Sequence, residues 1–527
     1  MLRVVVFSII VIFALLIVSI ICYFLFQKLW EELWLSTERL RFGIPFYFTD
    51  YLFVESTVKV DFFLLLGGRN MKKQDAIRDA RALGTPKMLV LGLQHLFAMF
   101  GATVLVPILV NSFGLPLSIQ TTLLMAGLGT LLFHFISKFK VPAFLGSSFA
   151  FLGGYAAVAN LSSGKYAAMS AAEKLQYAGG GIVVAGLLYV VLALIVKFVG
   201  VKKVMRFLPP IVTGPIVILI GLNLAPSAVA NASTCWWLAI VAIVIIIVTN
   251  IWGKGMIKIT PILLGVVGSY IIALIANAFG ATTASGDPLI NFSAVSGSKV
   301  IGLQPFFTDF GGTICKFDIT AILVMAPIAI ASMMEHIGDI SAISATVGEN
   351  FIEDPGLNRT LIGDGLATSL SALFGGPANT TYGENTGVLV LSKVYDPRVV
   401  RLAALYAIVL SFSPAFAALI NSMPTAIIGG ISFILYGMIS AIGVRNIVEN
   451  RVDFSNSRNL IIGATILVCG LGFTDGITFT IGSAHITLTA LAIASIVGIF
   501  LNAVLPGKDY EFGSDISGGS SGNLGTY

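Results

Sequence analysis

GGPANTTYGENTG, at residues 375–387, is the stretch of this sequence that decides the fold. It lies in a region otherwise apolar enough for a lipid bilayer, yet it carries hydroxyls, amides and the carboxylate of Glu384. An ionisable side chain at membrane depth costs about 2.5–3.5 kcal/mol, so such residues face a cavity or a partner. The glycines and Pro377 free backbone groups that lipid cannot satisfy. We therefore predict a broken helix that lines a polar pocket, as half of a small-molecule site.

The composition of the 527-residue chain is that of a membrane protein. Hydrophobic residues make up 57% and charged residues only 11%, whereas soluble domains contain about 25% charged residues. The net charge of +5 therefore gives no indication of nucleic-acid binding. The four cysteines form no C-x-x-C pair, so neither a metal site nor a disulfide framework is supported. We predict an all-α polytopic membrane protein without a cofactor or metal.

Residues 1–70 differ from the rest of the chain. The apolar run at residues 4–26 is long enough to span a bilayer. A Gly-Gly pair stands just upstream of the internal Met71, as a translated purine-rich ribosome-binding site would place it. We interpret residues 1–70 as upstream sequence read in frame. A genuine extra N-terminal span and an uncleaved signal anchor are the alternatives.

From residue 88 onward, hydropathy predicts about fourteen spans of about 20 residues. Their approximate centres are Phe97, Met125, Phe149, Leu187, Ile216, Val244, Val267, Ala329, Leu366, Val388, Ile408, Ile431, Thr465 and Ile493. The predicted regions are a cytoplasmic lead-in at 71–87, a first group of spans at 88–280, an extracellular loop at 281–316, a second group at 317–505 and a disordered, Gly/Ser-rich cytoplasmic tail at 506–527.

The positive charges predict the orientation. With the Met71 end inside the cell, the cytoplasmic segments hold most of the Lys and Arg residues, and the opposite side holds only Lys165, Lys174, Lys299 and Lys316. Cytoplasmic loops carry such an excess. We expect a multi-pass protein of the cytoplasmic membrane with its C-terminus in the cytoplasm.

Two pairs of unusual segments indicate an internal repeat. VPAFLGSSFAFLGG, at residues 141–154, is short and rich in small residues, like residues 375–387. The Gln-His pair at residues 94–95 likewise corresponds to the Glu-His pair at residues 335–336. Each pair lies about seven predicted spans apart, and an odd number of spans per repeat inverts the second copy. Secondary transporters use this plan, with paired broken segments at the binding site. Small residues that serve only helix packing are the alternative.

Three acids and two rings are the candidate functional residues. Glu335 and Asp339 lie four residues apart, hence on one helix face, and Glu384 lies in the broken segment. A headgroup position is the alternative for Asp339, and structural capping is the alternative for Glu384. A lone histidine such as His95 often only packs, whereas Phe149 would stack on a flat ligand.

A cation or a flat, neutral heterocycle would suit such a site. Carboxylates accept hydrogen bonds from ring N–H groups, and backbone N–H groups at helix breaks donate to ring carbonyls. Asp364 is a further candidate for a buried acid, with backbone capping as its alternative. His134 and His485 are expected to be peripheral. The sequence offers no nucleophile–base pair or metal ligand set, which disfavours an enzyme.

Five segments together resemble the uracil permeases of the nucleobase–ascorbate (nucleobase:cation symporter-2) family. They are QHLFAMFGATVLVP (94–107), PAFLGSSFAF (142–151), EHIGD (335–339), DPGLNR (354–359) and NTTYGENTGV (379–388). The resemblance covers roughly residues 88–505. It implies about fourteen spans in two inverted repeats of about seven, which form a core and a gate domain, with short β-strands in spans three and ten.

The resemblance also implies roles for single residues. The implied substrate-binding residues are Glu335 and Glu384, which bond the uracil ring, Phe149 and Gly383, which offer backbone amides, and Ala102 and Tyr382 nearby. The expected proton-coupling residues are Glu335, Asp339 and His95. Asp339 stands where some uracil carriers have a second histidine, so a histidine-based relay does not transfer to this chain. The xanthine and urate branch typically has Gln where Glu384 stands, which favours a pyrimidine.

The resulting expectation is proton-coupled uptake of uracil across the cytoplasmic membrane by alternating access. The expected partners are uracil, H⁺ and the lipid bilayer, with no nucleic acid, and a homodimer is left open. The alternatives are a symporter for xanthine or another nucleobase, a passive channel or facilitator, and an anion exchanger on the same architecture. Two acids in the site argue against an anionic ligand.

Overall fold

The computed structural model describes residues 76–162, 164–282, 286, 288–303, 315–474, 476–481 and 484–507. The atypical segment 1–70 and most of the predicted tail lie outside the described residues, as do parts of the loop at 281–316. The interpretations given for segment 1–70 therefore stay predictions.

Helices make up most of the described chain. In order they are α1 (Thr85–Ser112), α2 (Ile119–Ile136), α3 (Phe149–Ala159), α4 (Ala171–Val199), α5 (Pro210–Ser233), α6 (Trp236–Ile251), α7 (Pro261–Ala278), α8 (Ile319–Val347), α9 (Leu357–Leu373), α10 (Gly383–Ser392), α11 (Pro397–Ser411), α12 (Pro414–Asn421), α13 (Thr425–Glu449), α14 (Ser457–Gly472) and α15 (Ala490–Val504). Short helical turns lie at Ala80–Leu83, Gly164–Ala168, Val201–Met205, Met256–Ile259, Ser293–Ser296 and Ile352–Gly356.

Within the described ranges, seven helices are long and apolar enough to cross a membrane, namely α1, α2, α4, α5, α7, α8 and α13. The α11–α12 pair is bent by 88° at its break, and α3, α6, α14 and α15 are shorter apolar helices. Each predicted span centre falls inside a helix. The prediction of a mostly helical, polytopic protein is therefore confirmed. The count of about fourteen spans and the inverted repeat stay predictions.

Two short strands interrupt the helices at the predicted breaks. β1 (Leu145–Ser147) comes just before α3, and β2 (Asn379–Thr381) comes just before α10. They pair antiparallel, with Gly146 opposite Thr380. These strands lie in the third and tenth predicted spans, where the resemblance implies them.

A second strand pair was not predicted from the sequence. β3 (Ile477–Ile481) and β4 (Ala484–Leu488) form an antiparallel hairpin, in a segment that hydropathy treats only as the connection between two spans. Its sequence ITFTI alternates apolar residues with threonine, and this period of two is typical of a strand.

Local sequence explains where several helices begin and end. At the start of α4, Ser170 Oγ accepts from the Glu173 N–H at 3.3 Å, and the Glu173 carboxylate accepts from the Ser170 N–H. This capping box satisfies two free donors. Helix α8 ends at Gly348, whose φ of 74° is a left-handed conformation that glycine adopts without strain.

The helices pack in two groups. In one group, α13 packs along α5, and α6, α7, α14 and α15 join them. In the other, α4 packs along α9 and α2 along α11, together with α1, α3, α8 and α10. Because α8 contacts α5 and α15 while α1 contacts α7, α1 and α8, the helix that bears Glu335 and Asp339, lie at the boundary between the groups.

The segment before α1 joins the ends of two helices that carry candidate acids. The Ile77 N–H donates to Lys393 O, just after α10, at 2.9 Å. The Arg78 guanidinium donates to Val347 O, at the end of α8, at 3.0 Å. A cation at a helix C-terminus is favourable, so this segment helps to fix α8 and α10 relative to α1.

Candidate functional site

The pairing of β1 with β2 holds the two broken segments together. The Ser148 N–H donates to Ala378 O at 2.8 Å, and the Tyr382 N–H donates to Phe144 O at 2.9 Å. Equivalent bonds thus flank the strand pair on both sides. Backbone groups freed by the helix breaks are satisfied by the partner strand, which lipid could not do.

Threonine side chains complete the same arrangement from two further helices. The Leu145 N–H donates to Thr130 Oγ1 of α2 at 2.9 Å, and this hydroxyl donates to Leu145 O at 3.1 Å. On the other strand, the Asn379 N–H donates to Thr368 Oγ1 of α9 at 3.2 Å, and this hydroxyl donates to Asn379 O at 2.9 Å. Each strand therefore has one threonine clamp.

Two helices begin directly after the strands, with Phe149 and Gly383 in their first turns. The first N–H groups of a helix have no acceptor within the helix, and they form its positive end. Neither helix receives a side-chain cap from the preceding Ser148 or Tyr382. The structure therefore brings two uncapped helix starts together at the paired strands, at the positions predicted for Phe149 and Gly383.

Three carboxylates gather at these helix starts. Glu335 and Asp339 lie on α8 and Glu384 on the first turn of α10, and all three side chains are only partly buried. Asp339 accepts from Thr381 Oγ1 at 2.8 Å. The charges of Asp339 and Glu384 both act on Glu335, whose Oε2 has no hydrogen-bond partner among the described residues. The predicted acids from two helices therefore meet in one place.

Tyr382 connects this site to α1. Its hydroxyl donates to Ser147 O at 3.0 Å and accepts from Thr103 Oγ1 at 3.3 Å. Ala102, next to Thr103, is fully buried. A Cβ at Gly146 would overlap the Tyr382 ring, so glycine at this strand position allows the ring to approach. Ala102 and Tyr382 thus lie beside the strand pair, and their part in substrate binding stays a prediction.

His95 contacts an amide. Its side chain is fully buried on α1, and Asn385 Nδ2 donates both to His95 Nδ1 and to His95 O, each at 3.1 Å. A neutral imidazole that accepts at Nδ1 carries its proton on Nε2, which has no partner in the described chain. His95 therefore fixes the residue that follows Glu384, and its part in proton coupling stays a prediction.

Tyr436 completes the site, and the sequence analysis missed it. It comes from α13 in the other helix group, and its ring lies 6.3 Å from that of Phe149 in an edge-to-face arrangement of 74°. The Tyr436 hydroxyl is buried without an aligned partner among the described residues. No local pattern marks this tyrosine, because its neighbour Phe149 is almost three hundred residues away in the sequence.

One histidine differs from the sequence expectation, and a second has a partner that the sequence did not indicate. His134 was expected to be peripheral, and this was wrong, because it is fully buried with Nε2 2.8 Å from Ala143 O. His336, which the helical spacing rotates away from Glu335, lies 2.9 Å from Asp364 of α9. The prediction that Asp364 is buried is correct. The side chain of His485 lies outside the described residues.

The arrangement suits a flat polar molecule. It presents carboxylate acceptors on one side, backbone N–H donors of two helix starts on another, and the Phe149 and Tyr436 rings beside them. Buried polar groups without a hydrogen-bond partner in the protein discriminate strongly among ligands, since an analogue that lacks the matching group leaves them unpaired. A neutral ring compound that carries both N–H and C=O groups would match these donors and acceptors.

The apolar helices and the polar site between broken segments are those of a multi-pass membrane transport protein. The chain belongs to the permease family, because the family model Xan_ur_permease, described as "Permease family", matches residues 86–479. The family assignment made from the motifs is therefore confirmed. As a permease, the protein is not an enzyme.

Individual relatives support the same assignment. The chain is similar to the uracil permease of Bacillus caldolyticus, with 41% identity over 441 residues, 82% of this chain and 94% of that protein. It is 37% identical to the uracil permease of Bacillus subtilis (strain 168) over 450 residues, 83% of this chain and 97% of that protein. The solved transmembrane domain of BicA, a cyanobacterium bicarbonate transporter, matches with a TM-score of 0.50 and 17% identity over 81% of this chain and 99% of that one. That last likeness shows the fold alone.

We expect Tyr382→Phe to lower the melting temperature of the purified protein by several degrees. The substitution removes the donor to Ser147 O and the acceptor of the Thr103 hydroxyl, each buried bond contributing about 0.5–1.5 kcal/mol. Thermal unfolding in detergent measures the effect. The control is Tyr406→Phe, which removes one exposed bond to Leu89 O. Equal melting temperatures for wild type and Tyr382→Phe would contradict the structural role of this hydroxyl.

Proposed function

We propose that the protein takes up uracil together with H⁺ across the cytoplasmic membrane by alternating access. The observation that carries this proposal is the meeting of Glu335 and Glu384, from two different helices, beside two uncapped helix starts. Two relatives that match over more than four fifths of this chain are named uracil permeases, which supports uracil as the substrate.

The donors and acceptors of the site match those of uracil. The ring of uracil carries two N–H groups and two carbonyl oxygens. We propose that the carboxylates of Glu335 and Glu384 accept from the ring N–H groups, while the first-turn N–H groups at Phe149 and Gly383 donate to the carbonyls. The bond to an ionised Glu384 is charge-assisted and about twice as strong as a neutral one. A protonated Glu335 can still accept from a ring N–H through its carbonyl oxygen.

The surroundings of Glu335 support a role in proton coupling. Its side chain lies among Asp339, Glu384 and Asp364, all of them acids. Like charges at low dielectric cannot all stay ionised. We therefore infer that the site holds a proton when the carrier is loaded, with Glu335 as the first candidate and Asp339 as its neighbour in the relay. Interacting acids titrate as a group.

The packing of the helices supports alternating access. The acids belong to the group of α1, α2, α3, α4, α8, α9, α10 and α11, and Tyr436 belongs to the group of α13 and α5. We propose that these groups are the core and the gate domain, and that the core moves against the gate. The matched threonine clamps of β1 and β2 come from the second and ninth predicted spans, which supports two inverted repeats. The excess of Lys and Arg supports a cytoplasmic C-terminus.

We expect Glu335→Gln to exchange uracil across the membrane without accumulating it. A glutamine at this position takes up no proton, so the accumulation ratio in energised proteoliposomes should fall to about one. Glu353→Gln, at an exposed position in the turn before α9, is the matched control and should accumulate uracil like wild type. A protonophore should abolish accumulation by wild type and by the control variant. Full accumulation by Glu335→Gln would exclude Glu335 as the coupling residue.

We expect Glu384→Gln to weaken uracil binding by about ten- to a hundredfold. An amide that turns its NH₂ toward a ring N–H loses the acceptor, and a bond to a charged group contributes about 1.5–3 kcal/mol. Equilibrium binding of radiolabelled uracil to purified protein measures this, with Glu353→Gln at an exposed position as control. In wild type, xanthine should compete poorly with uracil. Unchanged affinity in Glu384→Gln, or equal competition by xanthine, contradicts the proposed contacts.

A further inference from the structure

A buried histidine–aspartate pair joins α8 to α9 behind the carboxylates of the site. His336 Nδ1 lies 2.9 Å from Asp364 Oδ2, and both side chains are fully buried. The two atoms lack the alignment of a hydrogen bond, and His336 Nε2 and Asp364 Oδ1 have no partner among the described residues. A buried carboxylate without a counter-charge is strongly unfavourable. The two side chains are therefore neutral as a unit only when they hold one proton in addition to the N–H of a neutral imidazole.

Hydroxyl groups lie near this pair and near the binding site. The Tyr189 hydroxyl of α4 lies close to Ser332, and the charges of Asp364 and Glu335 both act on it. Ser332 Oγ lies 3.4 Å from Ser148 Oγ, at the start of α3. The pair does not line the site, yet polar side chains extend from it to the place where the half-helices begin.

Few titratable groups surround the pair. They are Glu335 and Asp339 on α8, Tyr189 on α4, His134 on α2, Glu384 on α10, and the exposed Glu353 and Asp354 in the turn before α9. Among the other elements that pack against α8 or α9, no titratable side chain lies in α5, α15 or β2. The Asp364 charge acts on both Glu335 and Asp339. The acids of the site therefore respond to whether Asp364 is neutralised.

We propose that His336 and Asp364 share one proton and act as a positioning pair for Glu335, so that this pair sets the pH dependence of transport. The inference rests on the proposed function and adds a second proton-holding position to it. His336 and Glu335 are neighbours on one helix, so the contact with Asp364 fixes the rotation of α8 and hence the direction of the Glu335 carboxylate. The imidazolium also cancels the charge of Asp364 as felt by Glu335.

Two single variants should shift the pH profile of uptake in opposite directions. His336→Gln leaves the Asp364 carboxylate uncompensated, which favours the protonated form of Glu335, so the alkaline limb of initial uracil uptake should move up by about half to one pH unit. Asp364→Asn removes that negative charge, and the limb should move down by a similar amount. The double variant restores a neutral pair, and its profile should return close to that of wild type.

The controls separate this effect from a loss of packing. Ser341→Ala on α8 and Thr360→Val on α9 remove hydroxyls that bond only to a carbonyl of their own helix, and neither should shift the profile. Tyr189→Phe keeps the ring and removes the buried hydroxyl that lies near Ser332 and is within electrostatic reach of Asp364 and Glu335. This variant should move the alkaline limb of initial uracil uptake to higher pH. It tests the proposal even where His336→Gln or Asp364→Asn does not fold.

Three results would overturn the inference. The first is that the pH profiles of uracil uptake by His336→Gln and Asp364→Asn coincide with that of wild type. The second is that both profiles shift in the same direction and the double variant does not reverse the shift. The third is that the profile of Tyr189→Phe does not shift. A wild-type protein whose uracil uptake ignores pH and protonophore would overturn the proposed function itself. The two failures are thus distinguishable.

Discussion

The antiparallel pairing of β1 with β2 is the interaction on which the rest of the structure depends. A helix broken at bilayer depth exposes backbone groups that only protein can satisfy. Here each broken segment satisfies the other, through Ser148 and Tyr382 N–H donors and through threonine hydroxyls from α2 and α9. Because each break supplies the partner of the other, two half-helices can begin at one place with their free N–H groups close together.

The acids depend on the same arrangement. A carboxylate in an apolar helix bundle is costly, and α8 and α10 bring several together. Part of this cost is offset by specific donors, such as the Thr381 hydroxyl on Asp339 and the positive ends of the half-helices. The rest of this cost is not offset, since Glu335 Oε2 has no hydrogen-bond partner among the described residues. A ligand N–H or a proton would fill this position, and a transporter needs such a site to be satisfied only when loaded.

Much of this could be read from the sequence, because local patterns carry it. Gly and Pro around a run of polar residues indicated the breaks at 141–154 and 375–387, and four-residue spacing placed Glu335 and Asp339 on one face. Contacts between helices were not readable, because they depend on how helices rotate and pack. Tyr436 reaches Phe149 from another helix group, and His336 meets Asp364 across two helices. His134 belongs to the same class, since its partner Ala143 O lies in the connection before β1, whose path no hydropathy pattern gives.

A structure of the protein with uracil bound tests the central claim most directly. The account predicts the uracil ring between the starts of α3 and α10, with ring N–H groups within hydrogen-bond distance of the carboxylates of Glu335 and Glu384, about 2.7–3.2 Å. Ring carbonyls should face the backbone N–H groups at Phe149 and Gly383. Uracil bound elsewhere, or bound here without contact to either carboxylate, would contradict the account.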